Sequence, residues 1–266
     1  MEPFRFTAGS TPLLVSIPHA GTYVLAPIAD RFSTAARPLP DTDWHVDRLY
    51  DFLGELGAGV IAATHSRFVI DANRAPGDRP LYPGASNTGL CPTTTFDDMP
   101  IYQKGMAPDE SEIAARRARI WRPYHDRLQA ELKALKARHG IALLWDAHSI
   151  RGHVPRFFAG RLPDLNFGSA GGTSADPDLL SRLAAVAKAA PGYSHVVDGR
   201  FKGGYITRAY GDPGNGVHAV QLELSQITYM DEAAPYGFRE DLAAGIRPIL
   251  RRLLATALVW AGAPAP

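Results

Sequence analysis

Ile141-Ala-Leu-Leu-Trp145, running into Asp146-Ala-His-Ser149, is the stretch that decides the fold. Five apolar residues in succession leave no polar face, the pattern of a central strand covered on both sides by helices. The polar residues that end the run put a histidine, His148, at the carboxyl end of that strand. A second apolar run, Leu13-Leu-Val-Ser-Ile17, is stopped by Pro18 and also delivers a histidine, His19.

Between these two runs, Trp44, Val46, Leu49, Phe52, Leu53 and Leu56 recur at helical spacing. They predict a helix over residues 43–56, capped by Asp41 or Asp43 and ended by Gly57 or Gly59. Residues 60–63 and 68–70 read as two strands, the second releasing Asp71-Ala-Asn-Arg74. Residues 75–108 are rich in Pro, Gly, Thr and Asn without a period, which predicts a long loop bordering a site. Pro108, Asp109 and Glu110 open a long helix that runs towards His139 and Gly140. Beyond the central strand come a helix over 177–190, a Gly-rich hairpin-like region over 203–211 and a strand over 217–224. A last helix over 236–260 carries Pro248 inside its pattern, where a kink or a restart is expected. No repeat or linker divides the chain, so strands alternating with helices predict one α/β domain over 1–266, a three-layer αβα arrangement.

Composition narrows the function. Lys plus Arg (28) and Asp plus Glu (27) nearly cancel, so no global positive field favours nucleic acid or an anionic membrane. One cysteine, Cys91, excludes an intrachain disulfide and a multi-thiolate metal site, and suits a reducing compartment. The first residues show no basic then apolar leader, and no apolar run reaches the roughly 20 residues of a membrane span. A cytoplasmic protein acting on a small molecule is the expectation.

Polar residues at the carboxyl ends of strands are where open α/β sheets place their sites. Here they are His19, Asn73 with Arg74, His148 and Glu223. Two histidines from different strands plus one carboxylate would leave an open fourth position on a zinc ion. The carboxylate is not given by a His-x-x-His or His-x-x-Glu pattern, because Ala20, Gly21 and Thr22 follow His19. The segment Asp41-Thr-Asp-Trp-His-Val-Asp47 offers three acids and a histidine. Asp43 and Asp47 are four apart, on one face of the predicted helix. In Val220-Gln-Leu-Glu-Leu224 the apolar positions alternate with Gln221 and Glu223, so Glu223 points away from the apolar face and could take a proton from a metal-bound water.

Six segments together carry a resemblance: Ser16-Ile-Pro-His19-Ala-Gly21, Asp41 to Asp47, Asp71-Ala-Asn73-Arg74, Asp146-Ala-His148-Ser149, Gly203-Gly-Tyr-Ile-Thr-Arg208 and Gln221-Leu-Glu223. In order and spread they resemble the N-formylglutamate amidohydrolases, also called N-formylglutamate deformylases, of histidine degradation, whose fold is similar to the zinc carboxypeptidases and aspartoacylases (phosphorylase/hydrolase-like). The resemblance implies a mixed central sheet, one zinc ion held by His19, His148 and a carboxylate assigned to Asp47, and Glu223 as general base. Asp43 and His45 are the alternatives to Asp47. The implied substrate, N-formyl-L-glutamate, carries two carboxylates, which planar guanidinium groups suit. Arg74 and Arg208 are the candidates for them, with Asn73 as a further hydrogen-bond donor. Two other readings compete: a related hydrolase acting on another N-acyl amino acid, aspartoacylase- or carboxypeptidase-like, and a non-catalytic binding protein. The latter would require loss of Glu223 or a ligand, and the chain retains every candidate.

Overall fold

The computed structural model describes residues 1–80 and 86–264, so residues 81–85 of the expected loop lie outside the described residues. Seven strands form one mixed sheet: β1 (Phe4–Thr7), β2 (Leu13–Ile17), β3 (Gly59–Ala63), β4 (Ala142–Ile150), β5 (Leu165–Gly168), β6 (His195–Val197) and β7 (Val217–Ser225). Their spatial order is β1-β3-β2-β4-β7-β5-β6. The central strands β3, β2, β4 and β7 are mutually parallel. β1 is antiparallel to β3, and β5 is antiparallel to β7 and parallel to β6. The helices are α1 (Ala26–Ala29), α2 (Val46–Leu49), α3 (Glu110–Arg116), α4 (Arg122–His139), α5 (Pro177–Lys188), α6 (Tyr205–Tyr210) and α7 (Glu240–Trp260).

The expected layers are present. On one face Leu13, Val15, Leu143, Trp145, Val220 and Leu222 pack with Leu179 and Leu183 of α5 and Leu250, Leu253 and Leu254 of α7. Burying each such side chain contributes about 2 kcal/mol. On the other face Leu14, Ile61, Leu144 and Ala219 pack against Tyr124, Leu128, Leu132 and Leu135 of α4 and Ile206 of α6. α3 and α4 form the long helix expected after Pro108. Asp109 caps it by accepting from the Glu112 N–H at 2.8 Å, and Gly140, at φ 78°, ends it. A π turn over Arg117–Trp121 joins the two halves. Pro123 has no N–H to donate and its ring crowds the carbonyl of Arg119, which widens the turn just before it.

Alternation along β4 and β7 builds the site. Ala142, Leu144 and Ala219 face α4 and are apolar. Further along the same face the positions become Asp146, His148, Gln221 and Glu223, all buried. α4 covers the apolar half, and the Tyr124 hydroxyl, 3.0 Å from Ser16 Oγ, stands where the polar half begins.

Four expectations change. The strand predicted over 141–145 continues to Ile150, so His148 lies within it. Residues 68–70 are not a strand; they form a buried turn packed among Phe32, Leu90, Ile101 and Trp121. The Gly-rich region is the helix α6, not a hairpin: Gly204 is its N-cap, where a Cβ would come within 2.2 Å of the Asn73 side chain. The single helix over 43–56 is broken, because His45 takes a left-handed φ of 62°. Only α2 and a 3-10 turn over Asp51–Gly54 follow. α7 continues unbroken through Pro248. No helix among the described residues is long and apolar enough to cross a membrane.

Candidate active site

β2 ends at Ile17, and Pro18 turns the chain so that His19 enters the space above the sheet's polar half. The Asp43 N–H donates to the His19 carbonyl at 3.1 Å. The left-handed His45 keeps Asp43 out of the helix, and its carboxylate accepts from the Ser149 N–H at 3.0 Å. β4 brings Asp146 and His148 to the same face, and β7 sets Gln221 beside Asp146 and Glu223 beside His148 in register. The buried turn after β3 supplies Arg67, Asp71 and Asn73.

His19, Asp43 and His148 can each offer a ligand atom within 4.8 Å of the others. Asp43 Oδ2 lies 3.0 Å from His148 Nδ1 and 3.6 Å from His19 Nδ1. Behind them, His19 Nε2 lies 2.6 Å from Asp71 Oδ1, and His148 Nε2 lies 3.0 Å from Asp146 Oδ2. A carboxylate behind each ring can accept a proton from Nε2 and leave Nδ1 facing the other way, the arrangement that orients metal-binding imidazoles. His19 Nδ1 is buried with no hydrogen-bond partner, as an atom reserved for a ligand would be. Charge points the same way. Asp43, Asp71, Asp146 and Glu223 are buried together, and the buried guanidinium of Arg67 bonds Asp71 at 2.7 Å and reaches Asp43 at 3.6 Å. Several buried carboxylates around one guanidinium leave an excess of negative charge that a divalent cation would offset. These residues therefore fit a metal ion, with two imidazole nitrogens and a carboxylate oxygen as donors.

The protonation states follow from the neighbours. Burial alone would raise the Asp43 carboxyl, but the His19 and His148 rings outweigh it and hold it below the usual range. Asp71 is likewise held well down by His19 and Arg67 against the effect of burial. Burial would lower His148, yet Asp146 and Asp43 raise it well above its ordinary value. Glu223 behaves oppositely: burial pushes it up to about 7, opposed by His148. Gln221 Nε2 donates to Glu223 Oε2 at 3.1 Å.

The structure brings His19, His148, Glu223, Asn73 and Arg74 to one cleft and leaves Asp47 and Arg208 out of its described lining. Asp47 needs correction. With the helix starting only at Val46, Asp43 and Asp47 do not share a helical face. Asp47 instead turns to the surface, 42% exposed and paired with Arg5 of β1 at 2.8 Å. Asp43, weighed as a cap and as the alternative ligand, stands between the histidines. Arg208 is exposed, its Nε donating to the Gly203 carbonyl. Asn73 is a positioning group: Nδ2 donates to Asp146 Oδ2 at 3.2 Å, the carboxylate behind His148, and Oδ1 accepts from the Ile206 N–H. Sequence reading gave no role to Arg67, Asp71, Asp146 or Arg200. Asp146 was within reach, since residues two apart on a strand share a face; Arg67 and Arg200 carry no local signal.

Fold and site together define the class, an α/β enzyme of the amidohydrolase kind with its centre at the carboxyl ends of the central strands. A family model described as N-formylglutamate amidohydrolase matches residues 11–230, and the chain belongs to that family. It is 54% identical over 259 residues to an N-formylglutamate deformylase of Pseudomonas aeruginosa, covering 97% of each chain. It is 53% identical over 255 residues to that of Pseudomonas putida, covering 96% of this chain and 95% of the other. The crystal structure of an N-formylglutamate amidohydrolase from Ralstonia eutropha superposes with a TM-score of 0.82 at 25% identity over 98% of both chains. A gene product of Agrobacterium tumefaciens shares the fold, with a TM-score of 0.73 at 18% identity over 98% of this chain and 96% of its own.

Proposed function

We infer that this chain hydrolyses N-formyl-L-glutamate to L-glutamate and formate, using one divalent metal ion, zinc, held by His19, Asp43 and His148. The observation that carries this reading is the meeting of the two inward Nδ1 atoms with the Asp43 carboxylate, one strand away from Glu223. The activity named for the deformylases of the two Pseudomonas species supports the substrate.

Zinc bound by three protein groups supplies a Lewis acid for the formyl oxygen and acidifies a water. The chain's own residues do the rest. Glu223, buried and poised near neutrality, takes the proton of the attacking water and passes it to the departing amino nitrogen. Asp71 and Asp146 hold the imidazole tautomers, and Asn73 ties Asp146 to the start of α6. Arg74 lines the cleft next to Asn73 and offers a guanidinium to a substrate carboxylate. The reaction would serve as the last step of a histidine-degradation route in the cytoplasm, within a single domain.

Metal analysis paired with formate release tests the reading. About one zinc per chain and faster turnover of N-formyl-L-glutamate than of N-acetyl-L-glutamate or a peptidyl glutamate are expected. A preference for the acetyl or peptidyl compound would shift the assignment to an aspartoacylase- or carboxypeptidase-like hydrolase. Full activity in metal-free protein would remove the ion from the chemistry.

A further inference from the structure

Glu223, read above as the proton carrier, has a neighbour on β7 that the chemistry so far leaves without a part. Two residues before it and on the same face, Gln221 is 3% exposed and lines the same cleft. Its backbone is fixed on both sides, in register with Asp146 of β4 and with Gly168 of β5. At Gly168 a Cβ would come within 2.4 Å of the Gly203 nitrogen, so glycine there lets the Gly203-Gly204 segment lie close to the sheet. The Gly204 N–H thereby reaches the Gln221 side chain and donates to Oε1 at 2.6 Å.

That bond decides which way the amide faces. A backbone N–H can only donate, so the atom it meets is the amide oxygen, and Nε2 turns to Glu223, donating to Oε2 at 3.1 Å. Reversing the amide would set N–H against N–H at Gly204 and oxygen against oxygen at Glu223. A donor on one carboxylate oxygen restricts the swing of the flexible glutamate side chain and presents the other oxygen in one direction, the preorganisation that proton transfer needs. Asn73 works from the same turn: its Oδ1 accepts from the Ile206 N–H and its Nδ2 donates to Asp146. The start of α6 thus anchors two amides, one directed at the carboxylate behind His148 and one at Glu223.

We propose that Gln221 is a positioning residue for the hydrolysis, holding Glu223 by Oε2 and so leaving Oε1 as the oxygen that takes the proton of the attacking water. The assignment rests on the hydrolase reading above and adds the residue through which its base is aimed.

A double-substitution cycle on the zinc-loaded protein tests this. Gln221→Met keeps the length of the side chain and removes the donor. It should lower kcat for formate release from N-formyl-L-glutamate by roughly 10- to 100-fold, the range of a hydrogen bond to a charged group. KM should stay within about threefold, because the contact acts on the chemical step. Made in Glu223→Gln, where no base remains to be aimed, the same substitution should cost less than about twofold more. A kcat loss under about threefold, equal losses in both backgrounds, or a loss confined to KM would overturn the proposal, since a merely structural residue acts alike with or without Glu223. Thermal melting confirms that each variant is folded. Should Gln221→Met fail that check, Gln221→Asn, whose amide is one methylene too short to span both partners, takes its place in the cycle.

A second readout needs no turnover. The Gln221 side-chain amide protons, followed by NMR, should exchange with solvent at least about tenfold more slowly in the parent than in Glu223→Ala. Parent protein that releases no formate would refute the hydrolase reading. Slow exchange that depends on Glu223 would then leave Gln221's hold on it standing, and exchange alike in the two proteins would overturn it.

Discussion

His148 and Glu223 stand opposite each other in register on the parallel strands β4 and β7, their side chains on the same sheet face as α4 but beyond the half that α4 covers. The histidine proposed to hold a metal and the carboxylate proposed to move protons are thus one strand spacing apart, held by backbone pairing.

That relationship makes Glu223→Gln informative. The amide keeps the shape and can still meet Gln221, so the protein should fold and retain its metal. Formate release should fall by at least ~10²-fold, the contribution of a positioned acid or base. Loss of metal from the folded variant would make Glu223 a ligand, and a fall of only a few-fold would leave it a positioning role.

The choice between two aspartates is settled by metal stoichiometry. Asp43→Ala, His19→Ala and His148→Ala should each lose most of the bound metal. Asp47→Ala should keep all of it and cost under about 1 kcal/mol of stability, since its pairing with Arg5 is exposed. Metal lost from Asp47→Ala and kept by Asp43→Ala would restore Asp47 as the third ligand.

That choice also shows where the sequence was legible. β2, β4 and β7 are buried on both faces, so their apolar runs read directly, and the histidines and Glu223 could be placed from them. β1, β5 and β6 are three or four residues long, too short for a period, and their pairing is set by neighbours far along the chain. The resemblance implied a carboxylate on the later helix, and the uninterrupted helical period of residues 43–56 put Asp47 inside that helix. Nothing local announces that His45 adopts a left-handed φ, which the surroundings impose through its Nε2 at 2.7 Å from the Tyr236 carbonyl. Gly203 and Gly204 carried a turn signal, whereas Gly204 is needed for the close approach of Asn73, a contact 131 positions away in sequence.

The carboxylates behind the histidines should matter almost as much as the ligands. Asp71→Asn and Asp146→Asn replace an acceptor with an amide that favours the wrong tautomer or a tilted ring. Each should weaken metal binding by roughly 10- to 100-fold, read by competition with a chelator. Unaltered affinity in both would mean that the tautomers of His19 and His148 are fixed by other contacts.

The last prediction concerns His125, whose ring stacks on Trp121 at 3.8 Å. Its Nε2–H donates to the Ala72 carbonyl at 2.8 Å, and its Nδ1 accepts from the Tyr210 hydroxyl at 2.9 Å. Both nitrogens are satisfied in the neutral form, and the ring pins the turn between Asp71 and Asn73. Burial pushes its pKa down to about 4 from the ordinary 6.5. The unfolded chain therefore binds more protons than the native one between these values, so stability is complete above about pH 6.5 and is lost as pH falls towards 4. At pH 5 the loss through this one residue is on the order of 2 kcal/mol. Urea unfolding of the parent and of His125→Gln at pH 7.5 and pH 5 separates this residue from every other acid-sensitive group. The variant should be less stable at pH 7.5, because it loses the stacked ring. Its deficit should shrink by about 2 kcal/mol at pH 5, since glutamine does not titrate. A deficit of the same size at both pH values would show that His125 titrates alike in the folded and unfolded chain, and that its burial costs the imidazolium nothing.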